Sequence, residues 1–363
     1  MRTLAACIGV ALLLSPLERT SLAAPQTAQA DAGFQALQAG DVERAATIFQ
    51  DALRKSPRDA ALHFGAGVAA HLLGREADAV VSLGKALELQ PAFTSAAALL
   101  GEIDYREGEM DAAIRVYESA LKHEPANTEI RARLEAWRKE GALNDTLEHW
   151  NDKRFSLVFE GQANGALGKR AFGVLDAAYQ RIGAAIGAYP SGRITVTLYS
   201  RDQFRDITHL PAWADGAFDG TIRIPVQGAA QNLVEFDRVL AHELTHAMVH
   251  NLANRGVPAW LHEGLASYFE PGDAAAAARR VKTLRAIAPL SALQESFASL
   301  PAGAAAIAYE ESLVAADVVM QKLGAHTAIL LQYLGRGESF DDSLWLLGLQ
   351  PADFQAAFNR RVR

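Results

Sequence analysis

A chain of 363 residues, 50% hydrophobic and 21% charged, has ample material for two ordinary globular domains and is too apolar to be disordered. Its net charge of −7, without any Lys/Arg-rich run, leaves no electrostatic footprint for nucleic acid or an anionic membrane surface. The single cysteine, Cys7, excludes an intrachain disulfide, and its place near the start of the chain, within the leader read below, leaves no thiolate chemistry in the mature chain.

The first thirty residues have the layout of a secretory leader. Arg2 supplies a short basic start, Leu4 to Leu14 an apolar run, and Ala28-Gln29-Ala30 a small-residue cleavage pattern. The run falls short of the ~20 residues that cross a bilayer. Leu4-Ala5-Ala6-Cys7 has the composition of a lipobox but precedes the apolar run instead of following it. The expectation is a signal peptide over 1–30, export to a periplasmic or extracellular compartment, and no membrane span in the mature chain.

A shift of 34 residues then superposes the chain on itself. Gly40, Gly74 and Gly108 coincide, as do Ala45, Ala79 and Ala113, and Ala52, Ala86 and Ala120. Phe49, Leu83 and Tyr117 share a column, and Pro57, Pro91 and Pro125 close the units. Such a period marks stacked helical hairpins: glycine ends the first helix, alanines let the paired helices approach, the large residue fills the gap, and proline stops the second helix. Residues 31–125 resemble three tetratricopeptide (TPR) repeats, matching the second helix of the unit better than the first, where His63, Ala70 and Ala97 stand in place of the aromatic residues of that family. Asn127 to Gly141 reads as a capping helix, placing a cap and linker over 126–145. A concave helical surface of this kind suits a protein or peptide partner, or serves only as a scaffold.

From about Asn144 the period is lost. Arg154 to Gly161 and Arg193 to Ser200 alternate as strands, and Lys169 to Gly187 between them has helical spacing. Asp219 to Val226 alternates too, with Pro225 suiting an edge strand. The remainder reads as helices, so 146–363 is expected to be an α+β domain behind an all-α solenoid.

The chemistry concentrates in "VLAHELTHAMVH", Val239 to His250. Asn232 is the expected N-cap, with Glu235 three residues on, and Phe236, Val239, Leu240, Leu244, Ala247 and Met248 form the buried stripe. His242 and His246, four apart, stand about 6 Å from each other on one face, within reach of one ion, and neutral imidazole suits zinc. Glu243 lies close enough to take a proton from a water at the metal without ligating it, the logic of H-E-x-x-H. The bare pattern arises by chance in on the order of one chain per hundred of this size, so a third ligand is required. His250 lies ~12 Å along the axis from His242 and does not share the ion. Val249 and Leu252 stand where a metzincin needs glycine and histidine. The next helix, Pro258 to Glu270, offers His262 and Glu263, which point about 100° apart, so at most one faces the metal.

His242-Glu243-x-x-His246 followed by Trp260-Leu261-x-Glu263-Gly264-Leu265-Ala266 resembles the gluzincin metallopeptidases, in particular the peptidase MA-like group related to the thermolysin-like enzymes. The resemblance covers roughly residues 154–355. It implies a thermolysin-like catalytic fold with Glu263 as third zinc ligand, and puts His262 at the variable position of the motif. It also implies that Tyr309, in Ala308 to Gly324, donates to the oxyanion, and that the edge strand ahead of the active-site helix pairs with substrate. Glu270 is a candidate partner for a ligand histidine; Ser267 replaces the aspartate of thermolysin-like enzymes. The G-x-M-E-N motif of the aminopeptidases is missing. The functional expectation is an exported endopeptidase with one Zn2+ on His242, His246 and Glu263, with Glu243 and Tyr309 catalytic and a TPR groove for a protein or substrate. The alternative is a TPR binding protein that retains a zinc site with little turnover.

Overall fold

The computed structural model describes residues 28–190, 192–208, 216–270, 274–283, 289–295, 297 and 300–362. The expected leader lies outside the described residues up to position 27. The described chain forms two units, one ending at Thr146 and one beginning at Leu147.

The first unit is built of α1 (Ala28–Gln38), α2 (Val42–Lys55), α3 (Ala60–Leu72), α4 (Glu76–Leu89), α5 (Thr94–Arg106), α6 (Met110–His123) and α7 (Thr128–Asn144). The 34-residue columns have the physical roles their residue types imply. Gly40, Gly74 and Gly108 all take positive φ at the turns. Ala45, Ala79 and Ala113 are completely buried, and Phe49, Leu83 and Tyr117 fill the hairpins at no more than 3% exposure. A sixth column, absent from the sequence reading, is Gly33, Gly67 and Gly101. A Cβ there would stand 2.5, 2.7 and 2.3 Å from Phe49, Leu83 and Tyr117 respectively. Each large residue of a second helix therefore seats against a bare backbone of a first helix. Asn127 caps α7 through Ile130 N at 3.0 Å, and Ile130, Leu134 and Trp137 seal the last hairpin, Trp137 stacking on Tyr105 at 5.0 Å. Helix α1 starts at Ala28 and buries Ala30 completely, so the packed solenoid reaches into the expected cleavage pattern.

The second unit is a mixed helix/sheet domain. Its strands β1 (Glu148–Asn151), β2 (Phe155–Phe159), β3 (Ile194–Tyr199), β4 (Ala217–Phe218) and β5 (Ile222–Pro225) lie in the order β1-β2-β3-β5-β4. The central three run parallel, and antiparallel β1 and β4 form the edges. Phe155, Leu157, Phe159, Val196, Leu198, Ile222 and Ile224 are buried on one face of the sheet, as period-two alternation requires. Helix α8 (Gly161–Ile186) packs there on β2, and α10 (Leu233–Leu252) on β5. Between them in sequence stands the short α9 (Arg201–Thr208).

The segment expected as one edge strand is instead a tight hairpin. Asp219-Gly220-Thr221 turns the chain, and β5 lies inside the sheet with β4 outside it. Among the described residues, β4 pairs with Ile222 and Arg223 of β5.

The helices that follow are α11 (Ala259–Phe269), α12 (Ala274–Lys282), α13 (Ala302–Leu323), α14 (Thr327–Gly335), α15 (Phe340–Leu346) and α16 (Pro351–Val362). The stretch Gly303–Gly335 is long and apolar enough by composition to cross a membrane, but 61% of its most apolar window is buried in this domain. A helix enclosed by neighbours is apolar all round for that reason.

Candidate metal centre

Helix α10 begins where Asn232 accepts from Glu235 N at 3.2 Å. It then runs through the core, and His242, Glu243, Thr245 and His246 are all at most 3% exposed. Helix α11 begins after Pro258, with its first amides satisfied by the carbonyls of Leu293 and Gln294. Trp260, Leu261, Leu265 and Ala266 anchor it in the core at no more than 1% exposure. Gly264 brings the backbone of α13 close, since a Cβ would meet the Ser312 carbonyl at 2.3 Å. Those anchors fix the rotation of α11 and so the direction of Glu263.

His242 Nε2 and His246 Nε2 lie 3.1 Å apart, and Glu263 Oε2 stands 3.8 and 3.5 Å from them. A tetrahedral ion with bonds of about 2.0–2.1 Å holds its ligand atoms about 3.3 Å apart. The Glu263 oxygen is buried and has no hydrogen-bond partner among the described residues, the condition of an atom whose natural partner is a cation. These three residues form the group among the described residues whose donor atoms could hold one metal ion. His250 is outside it, set edge-on against Phe218 of β4 at 5.5 Å.

The outer nitrogen of each histidine is also held. His242 Nδ1 lies 2.5 Å from Glu270 Oε1, so it donates and leaves Nε2 free as a ligand. Glu270 sits just past the end of α11, and its other oxygen is 2.8 Å from Arg238 Nη1. His246 Nδ1 meets His262 Nδ1 at 2.5 Å with the rings 15° from parallel. His262, expected at the variable position of the motif, thus contacts a candidate ligand. Ser267 is half-buried, and the carboxylate contact to His242 is made by Glu270.

Burial opposes charge on His242, but the Glu270 hydrogen bond and negative charge outweigh it and raise its pKa. Burial and the neighbouring His242 push His246 well down. His262 is lowered to about 3 by burial and by His246, so it is neutral at physiological pH. Burial raises Glu263 to about 7 against the pull of His242 and His262. A cation would reverse that shift by favouring the ionised carboxylate.

Glu243 is completely buried beside the cluster. The entry to edge strand β4 comes so close that a Cβ on Gly216 would stand 2.6 Å from Glu243 Oε1. A residue without a Cβ at position 216 therefore leaves room for the carboxylate. Tyr309 stands half-buried on α13 with its ring edge-on to Phe297 at 5.3 Å.

Residues 175–352 match the Peptidase MA superfamily, and residues 36–103 match a tetratricopeptide repeat. The chain carries a Peptidase MA superfamily domain behind a TPR region. It is therefore a metallopeptidase-like protein with a metal-binding cluster and a repeat module suited to protein contacts. The superfamily match begins within α8 and ends within α16, so β1 and β2 stand outside it. No curated protein matches the chain.

Proposed function

We propose that the protein is an exported zinc endopeptidase of the gluzincin type, with a thermolysin-like catalytic domain. The observation that carries this reading is the convergence of His242 Nε2, His246 Nε2 and the orphaned Glu263 Oε2 at 3.1–3.8 Å, beside the buried carboxylate of Glu243. Two imidazoles and one carboxylate are a catalytic zinc set that leaves a fourth position open. Zinc bound there supplies Lewis-acid polarisation of a carbonyl and acidifies a water.

Glu243 is the general base. It takes one proton from the attacking water as oxygen adds to the scissile carbonyl carbon. It then delivers that proton to the amide nitrogen as the C–N bond breaks, giving a carboxylic acid and an amine, and the acid's remaining proton passes to the amine to leave a carboxylate and an ammonium. Tyr309 donates a hydrogen bond to the oxygen on which charge develops. The carbonyls and amides at the outer side of β4 pair with the substrate backbone, and Gly216 keeps that edge within reach of Glu243. The missing G-x-M-E-N motif supports internal cleavage over trimming of a free amino terminus. The leader pattern in residues 1–30 supports export, and the TPR groove is assigned to a protein partner or substrate.

The test is cleavage of an unstructured protein such as casein by zinc-loaded protein, with and without chelator, against Glu243→Gln. Chelator-sensitive cutting is expected. Glu243→Gln is expected to keep its zinc and lose about 10²- to 10⁴-fold in rate. Cleavage by that variant at the wild-type rate would overturn the mechanism. The absence of chelator-sensitive cutting across a proteome-derived peptide pool would favour the TPR binding protein instead.

A further inference from the structure

Glu270 has two oxygens and both are spoken for. Oε1 faces His242 Nδ1 at 2.5 Å, and Oε2 faces Arg238 Nη1 at 2.8 Å. Arg238 lies one turn ahead of His242 on α10, so both side chains leave the same face of the helix. Its guanidinium is mostly buried, with 18% side-chain exposure, and is gripped on its other side by Glu235. Nε is 3.0 Å from each Glu235 oxygen, and Nη2 is 2.5 Å from Oε1. Glu235 is itself placed by the cap of α10, where Asn232 binds its amide. A continuous polar chain thus runs from the start of α10 through Glu235, Arg238 and Glu270 to His242.

A carboxylate held through one oxygen alone can rotate about its last torsion, and its imidazole partner can follow. Held through both, it is fixed. Glu270 is also one of three carboxylates, with Glu243 and Glu263, gathered around two imidazoles, and Arg238 is the cation that compensates it. The planar fork of arginine meets Glu235 and Glu270 at once, which the point charge of lysine does not reproduce.

We infer that Arg238 is a positioning residue for the metal site, fixing Glu270 so that His242 presents Nε2 to the ion, and that it thereby sets metal affinity without touching metal or substrate.

This rests on His242 being a metal ligand, and the experiment separates the two claims. Zinc affinity is measured by chelator competition for wild type, His242→Ala, Arg238→Met, Arg238→Lys, Glu270→Gln and the Arg238→Met/Glu270→Gln double variant. Loss of an outer partner of a ligand histidine weakens metal binding by about 10- to 100-fold. Glu270→Gln is expected in that range, Arg238→Met about tenfold weaker than wild type, and Arg238→Lys between Arg238→Met and wild type. The double variant is expected to be no weaker than Glu270→Gln alone, since the arginine acts through that carboxylate. The far-downfield proton resonance of His242 Nδ1–H is expected to move upfield in Arg238→Met. Wild-type affinity in Arg238→Met, or losses that multiply in the double variant, would overturn the inference. Should Arg238→Met fail to fold, Arg238→Lys against Glu270→Gln makes the same comparison, and wild-type affinity there would be equally fatal. Unchanged zinc binding in His242→Ala would instead defeat the site assignment itself.

Discussion

His246 and His262 meet through their Nδ1 atoms at 2.5 Å, one ring almost parallel to the other. With Nε2 of His246 turned to the ligand cluster, its Nδ1 carries the proton and His262 accepts it. This changes what substitution at 262 should do. The sequence alone implies that His262→Ala leaves zinc content nearly unchanged. The contact implies that it weakens zinc by about 10- to 100-fold, whereas His262→Asn, whose amide carbonyl can accept the same proton, retains more of the affinity. Chelator competition on both variants checks this; equal losses in the two would show that packing and not the accepted hydrogen bond matters.

Gly216→Ala tests the spacing between the edge strand and the base. The added methyl would stand 2.6 Å from Glu243 Oε1 and 3.0 Å from Cδ and Cγ, so the carboxylate must shift. Metal content is expected to stay at the wild-type level while kcat falls by up to about 10²-fold, the order of loss for a misplacement near 1 Å. An unchanged kcat in a zinc-replete variant would show that the carboxylate can yield without cost.

The pH dependence follows from Glu263. Its folded pKa lies near 7, above the ordinary 4.5, because of burial. Between those values the metal-free fold holds a proton that the unfolded chain releases, so this group's contribution to stability falls as pH rises through the window. Zinc must expel that proton. Its dissociation constant should therefore increase about tenfold per unit as pH drops below about 7, and the raised His242 adds to the trend in the same direction. Titrations with zinc at pH 5.5, 6.5 and 7.5 read this directly. In Glu263→Gln without metal, the stability lost by wild type between pH 5 and 7.5 should be diminished; an identical pH profile in the two proteins would contradict the shift.

In the solenoid, Gly101→Val places a branched side chain where a Cβ alone would be 2.3 Å from Tyr117. Overpacking of this kind costs about 1–3 kcal/mol. A lowered first melting transition is expected for the full chain, largely restored when Tyr117→Ala is combined with it. Wild-type melting of the single variant would show that the hairpin opens freely.

Much of this was readable beforehand because it rests on local regularities. The 34-residue columns, the cap at Asn232 and the His242/His246 spacing each follow from helix geometry, and the structure places those residues accordingly. The elements that escaped have no local signature. Strand β1 is exposed along its whole length, so it shows no alternation, and it exists by pairing with β2. Strand β4 is two residues long, and the hairpin that displaced the expected edge strand depends on the turn at Asp219. The column of Gly33, Gly67 and Gly101 was present in the sequence at the right period but is silent until the opposing Phe49, Leu83 and Tyr117 are seen. Arg238 and His262 gain their roles from contacts 32 and 16 residues away in sequence respectively, which no periodicity reports.

The polar chain from Glu235 to Glu270 also bears on how the centre comes into being. All its members, and all three candidate ligands, lie on two successive helices or at the residue that ends the second. Bringing Glu263 to His246 closes a loop of about 17 residues, at an entropic cost of roughly 2.5 kcal/mol. The remaining contacts lie within one helix or close the same hairpin. The chelate is thus an assembly of low contact order, able to form as soon as α10 and α11 meet and before the distant β1 and β2 find their places in the sheet.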